Sequence, residues 1–345
     1  MKVWDLHCDT LSELRYAMLG KWEYSSLKNN HQEEGELSFL ENSLQVDLKR
    51  LKQGDYLLQC FACFTNLGRK LGNPLVAGHE MIDIFYGLME TYADDLVQIR
   101  TPEDIRRLPE DGRIGAMLTI EEGGVCLDSI HVLRDLYRLG VRMMTLTWNY
   151  ENGLAYPNSV PGNGDVWPCM PEIDPGKGLK QKGIEFIEAM EELHMILDVS
   201  HLGDPGFWDV VRCSKRPFAA SHSNARAICG HARNLDDKMI RVMGERGGLI
   251  GLNFCGDFLD PTTDRSNVKS RVSDMAVHAK HIMDVGGSEI LALGSDFDGI
   301  EGDLEIASAK DMPRLAEGLE REGIPHSVVE NIFWKNASRF FMENL

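Results

Sequence analysis

Residues 287–299, GSEILALGSDFDG, combine a short apolar run with two carboxylates, Asp296 and Asp298, at the end of that run. Other apolar runs of similar length recur along the chain, each followed by a helix-like stretch. The candidate strands are residues 3–7, 56–64, 114–121, 142–147, 195–200, 217–221, 248–253 and 290–294. Their apolar residues are nearly continuous rather than alternating, which is typical of parallel strands buried on both faces.

Amphipathic patterns lie between the candidate strands, for example at residues 179–193, 275–285 and 312–319. Eight strands alternating with helices predict an α/β fold, a (β/α)8 TIM barrel of the metal-dependent hydrolase type. We expect residues 1–345 to form this single catalytic domain. An open doubly wound sheet is the alternative, although the chain has no G-x-G-x-x-G or GKS/GKT loop. Residues 149–178, rich in Gly, Pro and Asn, would lie on the active-site face and could cover a substrate.

The charge and cysteine content exclude some classes of protein. The chain has 345 residues and a net charge of −18, which argues against nucleic acid or an anionic membrane as a partner. The opening MKVWDLHCDT does not resemble a signal peptide, and no apolar run is long enough to span a bilayer. The eight cysteines form no paired CxxC motifs, so we expect reduced thiols and a cytoplasmic location.

Metal-binding side chains stand at the carboxyl ends of five candidate strands: His7 and Asp9, Glu121 and Glu122, His201, His222, and Asp296 with Asp298. A barrel gathers these strand ends around one axis, on the face that carries active sites. Each group alone has an ordinary explanation as a helix cap or a turn residue. Five such groups together favour a metal site.

The types of ligand indicate the metal. Imidazole and carboxylate without thiolate suit Zn²⁺ or another divalent transition ion. Cys8 lies between His7 and Asp9, and in a strand its side chain would point to the opposite face and pack there. The ligands are too many for one open catalytic zinc, and they fit two ions that are bridged by a carboxylate and share one hydroxide.

Several segments resemble the membrane (renal) dipeptidase family of zinc metallopeptidases, within the amidohydrolase-like barrels. They are DLHCDT (5–10), TIEEGG (119–124), VLRDLYRLGVRMMTLT (132–147), LDVSH (197–201), SHSNARAICGHARNLDD (221–237) and LGSDFDG (293–299). They occur in the family's order over nearly the whole chain. The resemblance implies a binuclear zinc-dependent dipeptidase that hydrolyses the peptide bond of dipeptides by a metal-bridging hydroxide. It also implies a small dipeptide as substrate and a possible homodimer.

The resemblance also implies roles for individual residues. His7 and Asp9 would hold one zinc, His201 and His222 the second, and Glu121 would bridge the two. Asp296 matches the acidic residue that handles the proton of the water and of the leaving amine. Arg233 matches an arginine that binds the C-terminal carboxylate of the substrate, a role that suits a planar guanidinium.

This sequence departs from the family's pattern at two places. The family usually has one Glu before the Gly pair, whereas Glu121 and Glu122 are adjacent here. Counting without a gap favours Glu121, and only one of the two can face the metals. Trp148 stands where the family often has a His that stabilises the tetrahedral intermediate. An indole can donate one hydrogen bond but cannot ligate a metal, and we expect Asn149 to take part of that role.

Two other functions stay open. Another metal-dependent amidohydrolase on the same barrel would act on a lactone, cyclic amide, phosphotriester or deaminase substrate. A catalytically silent barrel would show damaged ligand positions, whereas every one is intact here.

Overall fold

The computed structural model describes residues 1–25, 37–69, 71–158, 170–262 and 267–345. The strands are β1 (Val3–Asp5), β2 (Tyr56–Phe64), β3 (Leu96–Gln98), β4 (Ile114–Glu121), β5 (Val141–Thr145), β6 (Ile196–Asp198), β7 (Ala219–Ala220), β8 (Leu249–Leu252), β9 (Lys269–Ser270), β10 (Leu291–Leu293) and β11 (Asp303–Leu304). Eight of them coincide with the predicted runs. The other three, β3, β9 and β11, were not predicted.

The helices are α1 (Thr10–Met18), α2 (Leu48–Gln53), α3 (Pro74–Thr91), α4 (Pro102–Asp111), α5 (Ile130–Arg138), α6 (Gln181–Leu193), α7 (Asp204–Cys213), α8 (Asp237–Glu245), α9 (Gly256–Leu259), α10 (Val272–Gly286), α11 (Met312–Arg321), α12 (His326–Glu330) and α13 (Asn336–Asn344). The three predicted amphipathic stretches correspond to α6, α10 and α11. Local chemistry sets the starts of other helices. At α4, the Thr101 side chain accepts from the backbone N–H of Asp104 in a capping box, and Pro102 occupies the first turn.

The eight predicted strands close into a parallel barrel. Their order around the ring is β1, β2, β4, β5, β6, β7, β8 and β10, and β10 pairs with β1. Strands β2 and β4 pair from Leu58↔Gly115 through Phe64↔Glu121. Strand β3 adds to the start of β4, while β9 and β11 form a separate two-stranded sheet. The predicted (β/α)8 TIM barrel is therefore confirmed.

Continuous burial explains the continuous apolar runs, since every residue of β2 and β4 is buried. Inside the barrel, side chains from all eight strands form one apolar cluster, which extends onto α13. Phe341 of that helix stacks on Trp4 with 5.4 Å between ring centroids, and Phe340 lies beside it. Helix α13 thus packs against one end of the filled barrel. The polar strand ends lie at the other end.

Several strands end before the polar residues that the sequence placed in them. β1 ends at Asp5 and β7 at Ala220, so His7 and His222 lie just beyond the ladder. Residues 159–169 of the predicted covering loop lie outside the described residues. In the described parts of the chain, no helix combines the length and apolar character needed to cross a membrane.

Candidate metal centre

Five of the predicted ligands lie together at the carboxyl end of the barrel. The two oxygens of Glu121 face different partners: Oε2 is 3.2 Å from His7 Nε2, and Oε1 is 2.9 Å from His201 Nε2. Asp9 Oδ1 is 3.8 Å from His7 Nε2, on one side of Glu121. His222 Nε2 lies 3.7 Å from Glu121 Oε1 and 3.0 Å from His201 Nε2, on the other side. These residues form two ligand groups that share one carboxylate.

Asp296 borders the same cluster and forms a third possible ligand group with His7 and His222. Its Oδ1 is 3.9 Å from His7 Nε2, and its Oδ2 accepts a 2.9 Å hydrogen bond from the Asn253 amide. Burial raises the pKa of Asp296 to about 6, and the charge of His7 opposes that rise. The carboxyl group can therefore exchange a proton near neutral pH.

The backbone turns sharply where these strands end. Glu122, His201, Asp296 and Asp298 have φ values of 93°, 67°, 64° and 68°, in the left-handed region that most side chains avoid. Strain of this kind is often found at functional sites. Here it lets the chain leave a strand while the adjacent side chain still faces the barrel axis.

The two remaining acidic candidates, Glu122 and Asp298, lie outside the ligand groups. Glu122 accepts from the backbone N–H of Gly124 at 2.7 Å and of Trp148 at 2.9 Å, so it joins the turn after β4 to the loop after β5. Asp298 accepts from the Thr10 hydroxyl and the Gln45 backbone, each at 2.6 Å. Both carboxylates hold loops together.

Hydrogen bonds determine which ring nitrogens carry protons. His201 Nδ1 is 2.8 Å from Asn149 Oδ1, an acceptor, so Nδ1 must donate and Nε2 has a lone pair. The Ser221 hydroxyl donates its proton to Asp198 and lies 2.7 Å from His222 Nδ1. It can only accept from that nitrogen, which leaves a lone pair on His222 Nε2 as well. Burial lowers the pKa of His201 to about 3 and holds that of His222 well below its usual value, so both rings are neutral.

The cluster therefore suits a cation. The Nε2 lone pairs of His201 and His222 converge with Glu121 oxygens, so this side presents acceptors with no proton between them. Burial lowers the pKa of His7, but the Glu121 and Asp9 carboxylates outweigh this and hold it well above its usual value. Asp9 Oδ1 is a buried acceptor that has no hydrogen-bond partner among the described residues. Buried acceptors without partners are costly unless a ligand satisfies them. Cys8 instead packs at 3.5 Å from the Cys60 carbonyl and belongs to none of the ligand groups.

The three predicted substrate-binding residues surround the cluster. Arg233 donates from Nη2 to the His222 carbonyl at 3.3 Å, and its Nε is buried without a partner in the described parts of the chain. The Trp148 ring lies 5.9 Å from the His201 ring, centroid to centroid. The Asn149 side chain accepts a hydrogen bond from His201 Nδ1 and so orients this imidazole.

Three residues that support the cluster were not singled out from the sequence: Ser221 and Asn253, which contact it, and Asp198, which contacts Ser221. Of these, only Asp198 could have been identified from the sequence, as a charged residue within an apolar run. It is a carboxylate inside the buried run LDVS, and a buried charge must have partners. Its partners are Ser200, two residues further along the chain, and Ser221, which follows the neighbouring strand. The second partner depends on the inter-strand register.

Comparison with known proteins agrees with this geometry. The model of the membrane dipeptidase family, peptidase family M19, matches residues 1–344. An uncharacterized dipeptidase from Schizosaccharomyces pombe is 32% identical over 314 residues, which cover 87% of this chain and 72% of that protein.

Two solved structures are similar over the whole length. A dipeptidase of metallopeptidase family M19 has a TM-score of 0.85 at 23% identity, covering 100% of this chain and 98% of its own. A metallopeptidase from Rhodobacter sphaeroides, solved with a phosphinate mimic of the dipeptide L-Ala-D-Ala, has a TM-score of 0.83 at 22% identity, covering 100% and 99%. At these identities the two structures establish the fold alone. Membership of the family is established by the family model, which matches residues 1–344. The chain therefore belongs to the membrane dipeptidase family, peptidase family M19, and is a metallopeptidase of the dipeptidase type.

Proposed function

We propose that the protein hydrolyses the peptide bond of dipeptides with two divalent metal ions, zinc or a similar transition ion. One observation carries the proposal: the two oxygens of Glu121 face His7 and His201 separately, at 3.2 and 2.9 Å. A carboxylate with this arrangement is suited to bridge two ions. We assign His7 and Asp9 to one ion and His201 and His222 to the other.

The two metal ions and the residues that would hold them have separate roles in the proposed reaction. When bound, two divalent ions supply Lewis acidity, which polarises the scissile carbonyl and lowers the pKa of a water that they share. The protein would hold the ligands rigidly, since each is fixed at a strand end and all but the half-buried His201 are buried. Asn149 and Ser221 would keep the ring protons of the two histidines on the side away from the ions.

We assign proton transfer to Asp296. Its pKa of about 6 suits a group that accepts a proton from the attacking water and later returns it to the leaving amine. The hydrogen bond from Asn253 would hold one carboxyl oxygen, and the other oxygen faces His7.

We assign recognition of the free C-terminal carboxylate to Arg233. Its buried Nε lacks a partner in the described residues, and the neighbouring Asp296 and Glu121 carboxylates oppose the fall in its pKa that burial causes. A planar guanidinium binds a carboxylate through two parallel hydrogen bonds. Trp148 and Asn149 would contact the substrate beside His201. The dipeptide mimic bound to the Rhodobacter sphaeroides relative supports a substrate of this class.

The location and assembly are further parts of the proposal. We assign the protein to the cytoplasm, where thiols stay reduced, because the seven cysteines in the described ranges form no disulfide with one another. A homodimer is the assembly expected from the family resemblance, and light scattering after size exclusion would measure it.

The test combines activity with metal analysis on one preparation. We expect zinc-loaded protein to turn over members of an Xaa-Yaa dipeptide panel and to contain two zinc ions per chain. Asp9→Asn should lower the zinc content, whereas Asp95→Asn, at a surface ion pair with Lys52, should not. Full zinc content without turnover across the panel would refute the dipeptidase proposal, and turnover of lactones or cyclic amides instead would support the alternative. A single zinc per chain would refute the bridging role of Glu121.

A further inference from the structure

A cavity of about 140 Å³ lies between α1 and the loop that follows β2. That volume is far above the roughly 10–15 Å³ that one water needs. Its charged, polar and aromatic walls are Arg15, Tyr16, Phe64, Thr65, Asn66 and Arg69. We call it the Arg69 cavity. None of these residues has a role in the metal centre described above.

The Arg69 cavity is next to the metal centre. Phe64 pairs with Glu121 in the barrel register, and the Thr65 N–H donates to the Glu121 carbonyl at 3.3 Å. The Phe64 ring lies 5.0 Å from the Trp148 ring, centroid to centroid. The cavity therefore lies at the same end of the barrel as the ligands.

The cavity and Arg233 lie on opposite sides of the barrel mouth. Arg69 follows β2 and Arg233 follows β7, and the ring order places four steps between these strands in either direction. A dipeptide held by its C-terminal carboxylate at Arg233, with its scissile bond at the cluster, extends its N-terminal residue away from Arg233. The cavity lies on that side.

The chemistry of the walls indicates what would bind. Arg69 donates from Nη1 to the Tyr24 carbonyl, and among the residues that the structure describes no carboxylate is within ion-pair distance of it. Arg15, by contrast, is neutralised by Glu80 at 2.7 Å. Within the described ranges, the cavity thus has one guanidinium that forms no ion pair.

Two hydroxyl groups complete the walls. Thr65 is only 9% exposed, and its buried Oγ1 has no partner in the described parts of the chain. Burial raises the pKa of the Tyr16 phenol, and the Arg69 charge only partly opposes this, so the phenol keeps its proton and can donate. Two carboxylates also raise this pKa. Glu13 accepts from the Ser25 hydroxyl, and Asp9 is the residue assigned above to a metal ion. An unbalanced positive charge with two hydroxyl donors is complementary to a carboxylate.

We propose that the Arg69 cavity binds the side chain of the substrate's N-terminal residue and selects an acidic side chain, Glu or Asp. This inference rests on the proposed dipeptidase function. The substrate carboxylate pairs with the Arg69 guanidinium and accepts from Thr65 and Tyr16. Dipeptides with a neutral or basic N-terminal residue lack this pairing.

The test compares isosteric substrates. Zinc-loaded protein should hydrolyse Glu-Ala with a kcat/KM about tenfold or more above that for Gln-Ala, as one charge-assisted hydrogen bond provides. Arg69→Gln should remove this preference by lowering the kcat/KM for Glu-Ala to about the value for Gln-Ala. Arg106→Gln, on the exposed face of α4, is the matched control and should keep the preference. Thr65→Val should lower the kcat/KM for Glu-Ala more than that for Gln-Ala.

The outcomes separate the two proposals. If Ala-Ala is hydrolysed but Glu-Ala and Gln-Ala react equally, or if Arg69→Gln keeps the preference, the cavity proposal is overturned and the dipeptidase proposal stands. Binding gives a readout that does not need turnover. In zinc-loaded protein carrying Asp296→Asn, calorimetry should show about tenfold tighter binding of Glu-Ala than of Gln-Ala, and equal affinities would overturn the cavity proposal even without turnover.

Discussion

Replacement of Asp198 by Asn tests how the protein prepares His222 for a metal. Asp198 Oδ1 accepts the backbone N–H groups of Ser200 at 2.9 Å and Ser221 at 3.0 Å, while Oδ2 accepts the Ser221 hydroxyl proton. In Asp198→Asn, the carbonyl oxygen can keep both backbone bonds. The amide nitrogen then faces the Ser221 oxygen and donates to it.

The substitution should change the imidazole without changing the fold. Once the Ser221 oxygen accepts from the amide, its own proton turns to His222 Nδ1, 2.7 Å away. That favours the tautomer with a proton on Nε2, which must be displaced before a metal binds. Loss of a group that orients a ligand typically costs 10–100-fold in metal affinity, about 1.4–2.7 kcal/mol. We expect this loss at one of the two ions only.

The assay is a competition titration with a chromophoric zinc chelator, which resolves the two affinities. The ¹⁵N chemical shifts of His222 in metal-free protein should report protonated Nδ1 in the native protein and protonated Nε2 in the variant. Asp47→Asn is the matched control, because it changes a buried carboxylate that caps α2 and whose hydrogen bonds are to Asn42 and Arg50. Native affinity at both sites, or an unchanged His222 tautomer, would refute the reasoning.

Three further predictions concern catalysis, acid stability and packing. Asp296→Asn should lower kcat by about 10²–10⁴-fold with zinc content retained, and loss of zinc would instead make it a ligand. His278 is buried, and burial lowers its pKa to about 4. The unfolded chain, with a pKa near 6.5, takes up this proton first, so the free energy of unfolding should fall by about 2 kcal/mol between pH 7.5 and 5. In denaturant titrations, His278→Gln should reduce the pH dependence of the free energy of unfolding, whereas His131→Gln, at an exposed site, should leave it unchanged. The same pH dependence in both variants would contradict the assignment of this effect to His278. Phe340→Ala should destabilise by about 3–5 kcal/mol in urea titrations without changing turnover per folded molecule, and a smaller loss would mean the barrel end repacks.

The sequence predicted the barrel because burial on both faces leaves a strong signal. Strands such as β2 and β4 are buried at every position, so their apolar runs are unbroken. Strand β3 was missed because Leu96–Gln98 is too short to form a pattern and pairs only with the start of β4. Strands β9 and β11 have two residues each and carry no periodicity at all.

The candidate ligands were also visible, because a polar residue at the end of an apolar run is conspicuous. Their selection depends on geometry that one sequence does not contain. Glu121 and Glu122 are the same residue type, and the turn after β4, with Glu122 at φ 93°, determines which of them faces the cluster. Arg69 was not singled out, since an arginine in a loop is ordinary until a cavity is found beside it.

The barrel closes by joining β1 to β10, so the beginning of the chain lies beside a strand that ends near residue 293. The N–H of Leu6 donates to the Leu293 carbonyl at 2.9 Å, and that of Asp9 donates to the Phe297 carbonyl at 2.8 Å. His7 and Asp296 stand on the two sides of this seam. During synthesis, the centre can form only after residue 296 has been added, long after His7. Contacts between residues so distant in sequence form slowly. Metal uptake would then measure the completion of folding. A bound ion would in turn stabilise the pairing of β1 with β10 and so slow unfolding.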